Sequence, residues 1–303
     1  MGVPSPTMSD TGVLEKLLVE LRPKLHRYCA RMTGSVIDGE DVVQEALMNA
    51  LEAMPHIGKL RNPEAWLFRI AHNASLDFLR RRARQDARLT HEDPDMLTDS
   101  SSEADREVAA AASLRTFMQL PASQRSSVIL MDVLGYSMEE IVGITEATLP
   151  AVKAALHRGR ERLREIAQLP DESPLPVLSD AERRQLESYI ERFNTRDFDG
   201  VRDLLAEEVK LDLVNRVRWS GKPQVSNYLS NYSSRHDWRF SLGFVERRPA
   251  IFATDPSGPA AKPMYFIMLG WADGKVANIR DFRYARYVLD GADISPAAGS
   301  ARH

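Results

Sequence analysis

The chain has one cysteine in 303 residues, Cys29. A lone thiol excludes an intramolecular disulfide and a cysteine-based zinc site, and within a helical pattern it reads as a small packed apolar residue. No apolar run approaches the roughly 18–20 residues that a membrane span needs. The N-terminus, MGVPSPTMSDTG, lacks both the basic start and the apolar core of a signal peptide. A cytoplasmic protein with a disordered lead-in is therefore expected, Met8 offering a second candidate start. No internal repeat is present. Net charge is also small, −3, which argues against polyanion binding by the whole surface but not by one face of it. With 43% hydrophobic and 27% charged residues the composition is that of globular protein, and the length points to two or three domains.

Charge is sorted along the chain. Val13, Leu17, Leu18, Leu21, Leu25, Tyr28 and Cys29 have helical spacing, with Pro23 predicting a kink or a helix restart. Asp38 or Asp41 can cap a second helix running to Met54, with Val42, Val43, Ala46, Leu47, Ala50 and Leu51 inward. Its outward residues, Asp41, Gln44, Glu45, Asn49 and Glu52, are acidic or amide. A third helix follows, with Asn62 as cap and Pro63 in its first turn. Leu67, Ile70, Ala71, Ala74 and Phe78 form its core stripe, while Arg69, Asn73, Asp77, Arg80 and Arg84 form another. With Arg61, Arg81, Arg82 and Arg88 against Glu64, Asp77 and Asp86, this segment is cationic.

Residues 90–107, ending in HEDPDMLTDSSSEADRE, are acidic, Ser-rich and nearly free of large apolar residues, which predicts a flexible linker. A helical domain is predicted over 108–168. In it Ser137 stands in capping-box spacing with Glu140, and Thr148 caps a following helix with Pro150 in its first turn. Leu149, Val152, Leu156 and Leu163 point inward, and Lys153, His157, Arg158, Arg160 and Arg164 crowd the outside, as in a helix-turn-helix. A Pro-rich linker (169–179) precedes an α+β region (180–290). Helical patterns at Ala181–Asn194, Phe198–Leu205 and within SGKPQVSNYLSNYSS there alternate with strand-like runs, and Asp273-Gly274 predicts a hairpin turn. The stretch GADISPAAGSARH reads as a frayed tail.

Two of these stretches together resemble bacterial sigma factors of the extracytoplasmic-function group. DGEDVVQEALMNAL is similar to the helix that grips the polymerase clamp, and NPEAWLFRIAHNASLDFLRRR to the helix that binds the minus-ten promoter element. LPASQRSSVILMDVLGYSMEEIV and VKAALHRGRERLRE resemble the family's fourth region, which reads the minus-thirty-five element. The resemblance covers about residues 12–168, so 12–89 would be region 2 and 108–168 region 4. The remainder is similar to SnoaL-like domains of the nuclear-transport-factor-2-like fold, through RFNTRDFDGVRDLLAEEVKLDL, WSGKPQVSNYL and DGKVANIRDFRYARYVL. Neither the WLPEP-like linker nor the DGGGR-like string of the best-known fused group occurs. Two all-α domains followed by an α+β cone-like domain are thus expected.

The resemblance implies a sigma subunit, not an enzyme, that recruits core RNA polymerase to promoters through the β′ clamp and the β flap, and opens promoter DNA. Asp41, Gln44, Glu45, Asn49 and Glu52 would meet polymerase. Trp66, Arg69, His72, Asn73, Arg80, Arg81, Arg82 and Arg84 would meet minus-ten DNA, guanidinium forks on phosphates and ring or amide groups on unpaired bases. Thr148, Lys153, His157, Arg158 and Arg160 would meet upstream duplex. Ala154 and Ala155 replace a polar–arginine pair common in relatives, which weakens direct base readout, and Glu146 stands where the turn usually has glycine. Asp212, His236, Tyr265 and Asp281 are candidates for a C-terminal pocket that takes a small ligand or protein and regulates activity in cis. No cofactor or metal is expected. Two alternatives stay open: a SnoaL-like enzyme fused to a DNA-binding module, and a helix-turn-helix regulator that never touches polymerase.

Overall fold

The structure is a computed structural model, and it describes residues 8–57, 60–86, 103–167, 177–233, 238–257 and 263–297. The expected lead-in, His236, most of the acidic linker and most of the Pro-rich linker lie outside the described residues. The chain divides into two compact units, Met1–Glu172 and Ser173–His303. Among the described residues no helix is long and apolar enough to cross a membrane, and no cluster of three or more His, Cys, Asp or Glu is placed to hold a metal.

Among the described residues the secondary structure of the first unit is all helical: α1 (Met8–Thr33), α2 (Val36–Ala53), α3 (Pro63–Asp86), α4 (Glu103–Ala111), α5 (Leu114–Met118), α6 (Ala122–Val128, continued by a π-helical turn), α7 (Met138–Thr145) and α8 (Leu149–Ala167). Helix α1 runs unbroken through Pro23. Gly34, at φ 77, turns the chain and leaves Ser35 extended. Its Oγ accepts from Asp38 N at 3.1 Å, so Ser35, rather than Asp38 or Asp41, is the cap of α2. At Gly39 any Cβ would lie 2.6 Å from the Ala30 backbone, so α1 and α2 touch main chain to main chain there. Asn62 caps α3 as read, its Oδ1 accepting from Ala65 N at 3.0 Å.

The two helical segments share one core. Tyr28, Cys29, Met32, Val43, Ala50, Phe68, Ala71, Phe117, Val128, Ile129, Tyr136, Ile141 and Leu156 are buried together. The Arg125 guanidinium crosses between the segments, Nη1 donating to the Met32 carbonyl at 2.5 Å. Helix α4 begins inside the stretch read as linker, because Asp105 is buried and accepts from Arg164 Nε and Nη2 of α8 at 2.9 and 2.6 Å. That pair gives residues 103–107 a partner the local sequence does not show.

The second unit is α+β. Helices α9 (Asp180–Asn194), α10 (Phe198–Leu204) and α11 (Lys222–Ser233) accompany one sheet of order β2-β1-β6-β5-β4-β3-β7. The strands are β1 (Leu205–Leu213), β2 (Val217–Ser220), β3 (Arg239–Val245), β4 (Arg248–Thr254), β5 (Tyr265–Ala272), β6 (Lys275–Asp281) and β7 (Ile294–Pro296). Among the described strands only the β1–β6 pair is parallel. Ser179 and Glu182 form a capping box on α9. Phe193 anchors an aromatic core with Tyr189, Phe198, Tyr232, Trp238 and Phe240. Asp273 and Gly274 take φ 50 and 72, the hairpin turn expected. The tail is not frayed throughout: Ile294–Pro296 pairs with Gly243–Val245 as an edge strand.

Candidate functional site

Helices α2 and α3 pack together, and this decides what their charged faces can do. Glu45 on α2 accepts from Arg81 on α3 through Nη2 at 2.8 Å and Nη1 at 3.3 Å. Two turns earlier on α2, Asp38 lies 3.7 Å from Arg82, and within α3 Arg80 pairs with Asp77 at 2.7 Å. The acidic face and the arginine run are therefore neighbours that partly neutralise one another. The Glu45 and Arg81 side chains keep substantial exposure, and such pairs are worth under about 1 kcal/mol, so an incoming phosphate or basic surface can displace them. Arg80, Arg81, Arg82 and Arg84 are all exposed.

On α2, Asp41, Asn49 and Glu52 are exposed, and Gln44 and Glu45 half-buried. Two residues missed by the sequence reading share this face. Met48 is 59% exposed and Leu51, expected inside, is 45% exposed. At 100° per residue Met48 falls between Asp41, Gln44, Glu45 and Glu52, so the helical wheel could have found it. Met48 is thus an exposed apolar residue amid polar ones, and Leu51 borders them on the side of Gln44.

On α3, Trp66 is half-buried and Asn73 exposed. His72 is a correction: it is buried, and its Nδ1 is hydrogen-bonded to the Tyr28 hydroxyl at 2.7 Å. Burial holds its pKa down at about 4, so it is a neutral core group and not a contact for bases. Phe68 is fully buried, edge-on to Tyr28 and to Tyr136 at 5.9 and 5.1 Å. Arg69 is engaged across the unit, its Nη1 3.2 Å from Glu146 Oε1.

Glu146 ends α7 in the left-handed region, φ 57 and ψ 19, the conformation for which glycine is usual. Ser137 and Glu140 make the capping box as read. Thr148 Oγ1 accepts from Ala151 N at 3.4 Å, and Thr148 and Lys153 are exposed. His157 is half-buried and 3.4 Å from Glu161, and Arg158 is half-buried. Arg160 is the second correction. It is buried, its Nε and Nη2 donating to Asp132 at 2.9 and 2.6 Å, and it faces the interior instead of DNA. Leu149, expected inside, is 40% exposed, while of the alanine pair Ala155 is buried and Ala154 half-buried.

A second clasp lies between α1, α3 and the turn before α7. Glu64 accepts from Lys24 Nζ at 2.6 Å and from the Tyr136 hydroxyl at 2.5 Å, and Lys24 Nζ sits 4.2 Å from the Tyr136 ring centre.

In the second unit Tyr265 and Asp281 come together, while Asp212 points to the opposite sheet face between Arg218 and Arg280, at 3.3 and 3.7 Å. Tyr228 and Tyr232, spaced four apart on α11, complete the cluster and were missed. Asp281 is wholly buried and accepts from the Tyr228 hydroxyl, from the Tyr232 hydroxyl at 2.8 Å and from Arg283 N at 2.8 Å. Desolvation pushes its carboxyl pKa up, and the Tyr228 and Tyr232 hydroxyls well up. Both carboxylate oxygens are occupied by protein donors, as befits a satisfied core group more than a base awaiting substrate.

Comparison with known proteins agrees with this layout. The family model for Sigma-70 region 2 matches residues 17–85, and that for Sigma-70, region 4 matches 114–163. The chain is similar to the ECF RNA polymerase sigma factor SigD of Mycobacterium bovis, 31% identical over 166 residues, covering 52% of this chain and 77% of SigD. With SigG of Mycobacterium tuberculosis it is 28% identical over 291 residues, covering 86% of this chain and 78% of SigG. With SigE of Mycolicibacterium smegmatis it is 29% identical over 155 residues, half of this chain and 60% of SigE. Among solved structures, the extracytoplasmic function sigma factor SigJ of Mycobacterium tuberculosis covers 88% of this chain and 95% of its own, at 18% identity and TM-score 0.35. A SnoaL-like protein of unknown function from Burkholderia thailandensis matches 35% of this chain and 97% of its own, at 16% identity and TM-score 0.29.

Proposed function

The chain belongs to the extracytoplasmic-function RNA polymerase sigma factors, and from that premise we propose that it binds core RNA polymerase in the cytoplasm and carries it to promoter DNA. The observation that carries the reading is the side-by-side packing of α2 and α3. It sets the exposed Met48 among Asp41, Gln44, Glu45, Asn49 and Glu52, with the exposed Leu51 at the edge of that face, beside the exposed run Arg80, Arg81, Arg82 and Arg84. Exposed apolar residues among polar ones suit a protein partner. Arginines suit phosphates, and Trp66 and Asn73 suit the unpaired bases of an opened minus-ten element. The exposed side of α8 around Thr148, Lys153, His157 and Arg158 would take upstream duplex.

Reading both elements requires the first unit to open. Minus-ten and minus-thirty-five positions lie on the order of 25 base pairs apart, about 85 Å at 3.4 Å per pair. Arg69 and Glu146, one on each reading helix pair, are 3.2 Å apart. In this reading the described unit is a closed form, and polymerase binding would part α3 from α7. In this reading the SnoaL-like unit regulates in cis and is not an enzyme, in keeping with the donor-saturated Asp281.

Run-off transcription tests the proposal. Purified protein, intact and truncated after Glu172, is added to core polymerase on promoters selected from its own genome. Defined transcripts from the intact protein are expected, with a changed yield on truncation. Absence of any protein-dependent transcript contradicts the sigma reading, and equal yields contradict regulation in cis.

A further inference from the structure

The second unit carries a cationic and aromatic surface that the proposed function does not use. The turn between β1 and β2 is tied to the segment after β6: Val214 N donates to the Asp281 carbonyl at 3.0 Å, and Asn215 Nδ2 to the Tyr284 carbonyl at 3.5 Å. Asn215 takes a left-handed φ of 65, which swings Arg216 outward beside that segment. The Arg216 guanidinium stacks on the Tyr284 ring at 5.1 Å, and Tyr284 is nonetheless 47% exposed. Arg286, two residues on, is exposed, and Arg218 flanks the turn on β2.

Two carboxylates at this end of the sheet are committed elsewhere. Asp212 lies between Arg218 and Arg280, and Asp281 is inside the tyrosine cluster. Among the described residues no carboxylate pairs with Arg216 or Arg286. The inner core does not need Tyr284 either, because Phe282 and Ala285 around it are the fully buried residues of that segment. Positive charge is therefore left in surplus beside an exposed aromatic ring.

We propose that this surface, Arg216, Tyr284 and Arg286, binds single-stranded DNA, with the two guanidinium groups on successive phosphates and an unpaired base against the Tyr284–Arg216 stack. All of its cations are arginine, whose planar fork suits phosphate oxygens better than a lysine point charge does. An exposed ring already layered with a guanidinium is a platform for a base, whereas an acidic peptide would gain nothing from it. A duplex could use the arginines but not the ring. The assignment stands on the second unit alone and does not depend on polymerase recruitment.

Fluorescence anisotropy with the full chain tests it, using a labelled 20-mer single strand, the matching duplex, and labelled polyglutamate, each across a salt series. Arg216→Ala with Arg286→Ala is expected to weaken single-strand binding several-fold and to reduce the magnitude of the salt slope by about 1.4, at ~0.7 per phosphate contact. Tyr284→Ala is expected to weaken single-strand binding about five-fold or more while leaving duplex binding unchanged. Arg216→Lys with Arg286→Lys, which keeps the charge and the fold, is expected to retain the salt slope. Single-strand affinity and slope unchanged in the alanine double variant overturn the proposal. So does a Tyr284→Ala loss equal on single strand and duplex, or a loss confined to polyglutamate, which would mark a protein-docking surface. Run-off activity of the same variants separates this outcome from the sigma reading, since transcription with unchanged single-strand binding leaves only the present proposal refuted.

Discussion

Arg69 on α3 and Glu146 at the end of α7 are joined, Nη1 to Oε1 at 3.2 Å, and Glu146 makes that contact from a left-handed backbone. Two opposed effects meet at one residue. A non-glycine residue in this conformation costs about 1 kcal/mol, and an exposed ion pair returns less than about 1. Glu146→Gly removes both the strain and the pair, and Glu146→Ala removes only the pair. Urea unfolding is expected to find the glycine variant more stable than the alanine variant by about 1 kcal/mol. The reverse order would show that the turn carries no strain.

His72 supplies a pH-dependent part of the first unit's stability. Its pKa in the folded state is lowered from 6.5 to about 4 by burial. The neutral ring is therefore favoured by folding, and its contribution is complete above pH 6.5 and is lost as pH falls from 6.5 toward 4. At about 1.4 kcal/mol per pH unit the loss is at most about 3 kcal/mol. Unfolding followed by the helical circular-dichroism signal at pH 7.5 and pH 5 is expected to show a smaller difference in His72→Gln, which keeps an acceptor near Tyr28, than in the native chain. Equal differences would contradict a buried neutral His72.

Arg160 and Asp132 form an ion pair whose side chains are 3% and 0% exposed. Removing one partner strands the other, a loss of roughly 3–5 kcal/mol. Arg160→Ala is expected to lower thermal stability severely while a folded remainder keeps its salt slope for duplex DNA. A stable variant with a slope reduced by about one would restore Arg160 to the DNA surface.

The Glu45–Arg81 pair makes separate predictions for two partners. Arg80→Ala with Arg81→Ala is expected to weaken promoter complexes and reduce their salt slope by up to about 1.8. Asp41→Ala with Met48→Ala is expected to weaken core-polymerase binding, measured by co-elution, with little change in promoter salt slope once complexes form. Normal co-elution of the second variant would leave the α2 face merely solvated.

Most of the architecture was legible because helix caps and period-3.6 stripes are local. Ser137 with Glu140 and Asn62 with Pro63 announced their helices, and Asp273-Gly274 its turn. Orientation was less legible. Arg160 lies four residues beyond Leu156 and eight beyond Val152, on the buried stripe of α8, and His72 lies four beyond Phe68 on that of α3. The spacing was there to be read, but a polar residue on an apolar stripe is explained only by a distant partner, Asp132 or Tyr28. Asp105 entered a helix for the same reason, through Arg164. The strand at Ile294–Pro296 is too short for any alternation to show. The neutralisation of Glu45 by Arg81 depends on two helices packing together, which neither helix states by itself.

In the proposed function one chain uses α2–α3 and α7–α8 on separate promoter elements and must open to do so. Fluorophores on Glu20→Cys and Glu139→Cys report this directly, since both positions are exposed and flank the Lys24–Tyr136 clasp. The native Cys29 thiol is buried, with its pKa pushed up to about 12, and stays unlabelled. Energy transfer is expected to be high in the free protein and to collapse when core polymerase and promoter DNA are both present. Transfer that stays high in a transcribing complex would contradict the account.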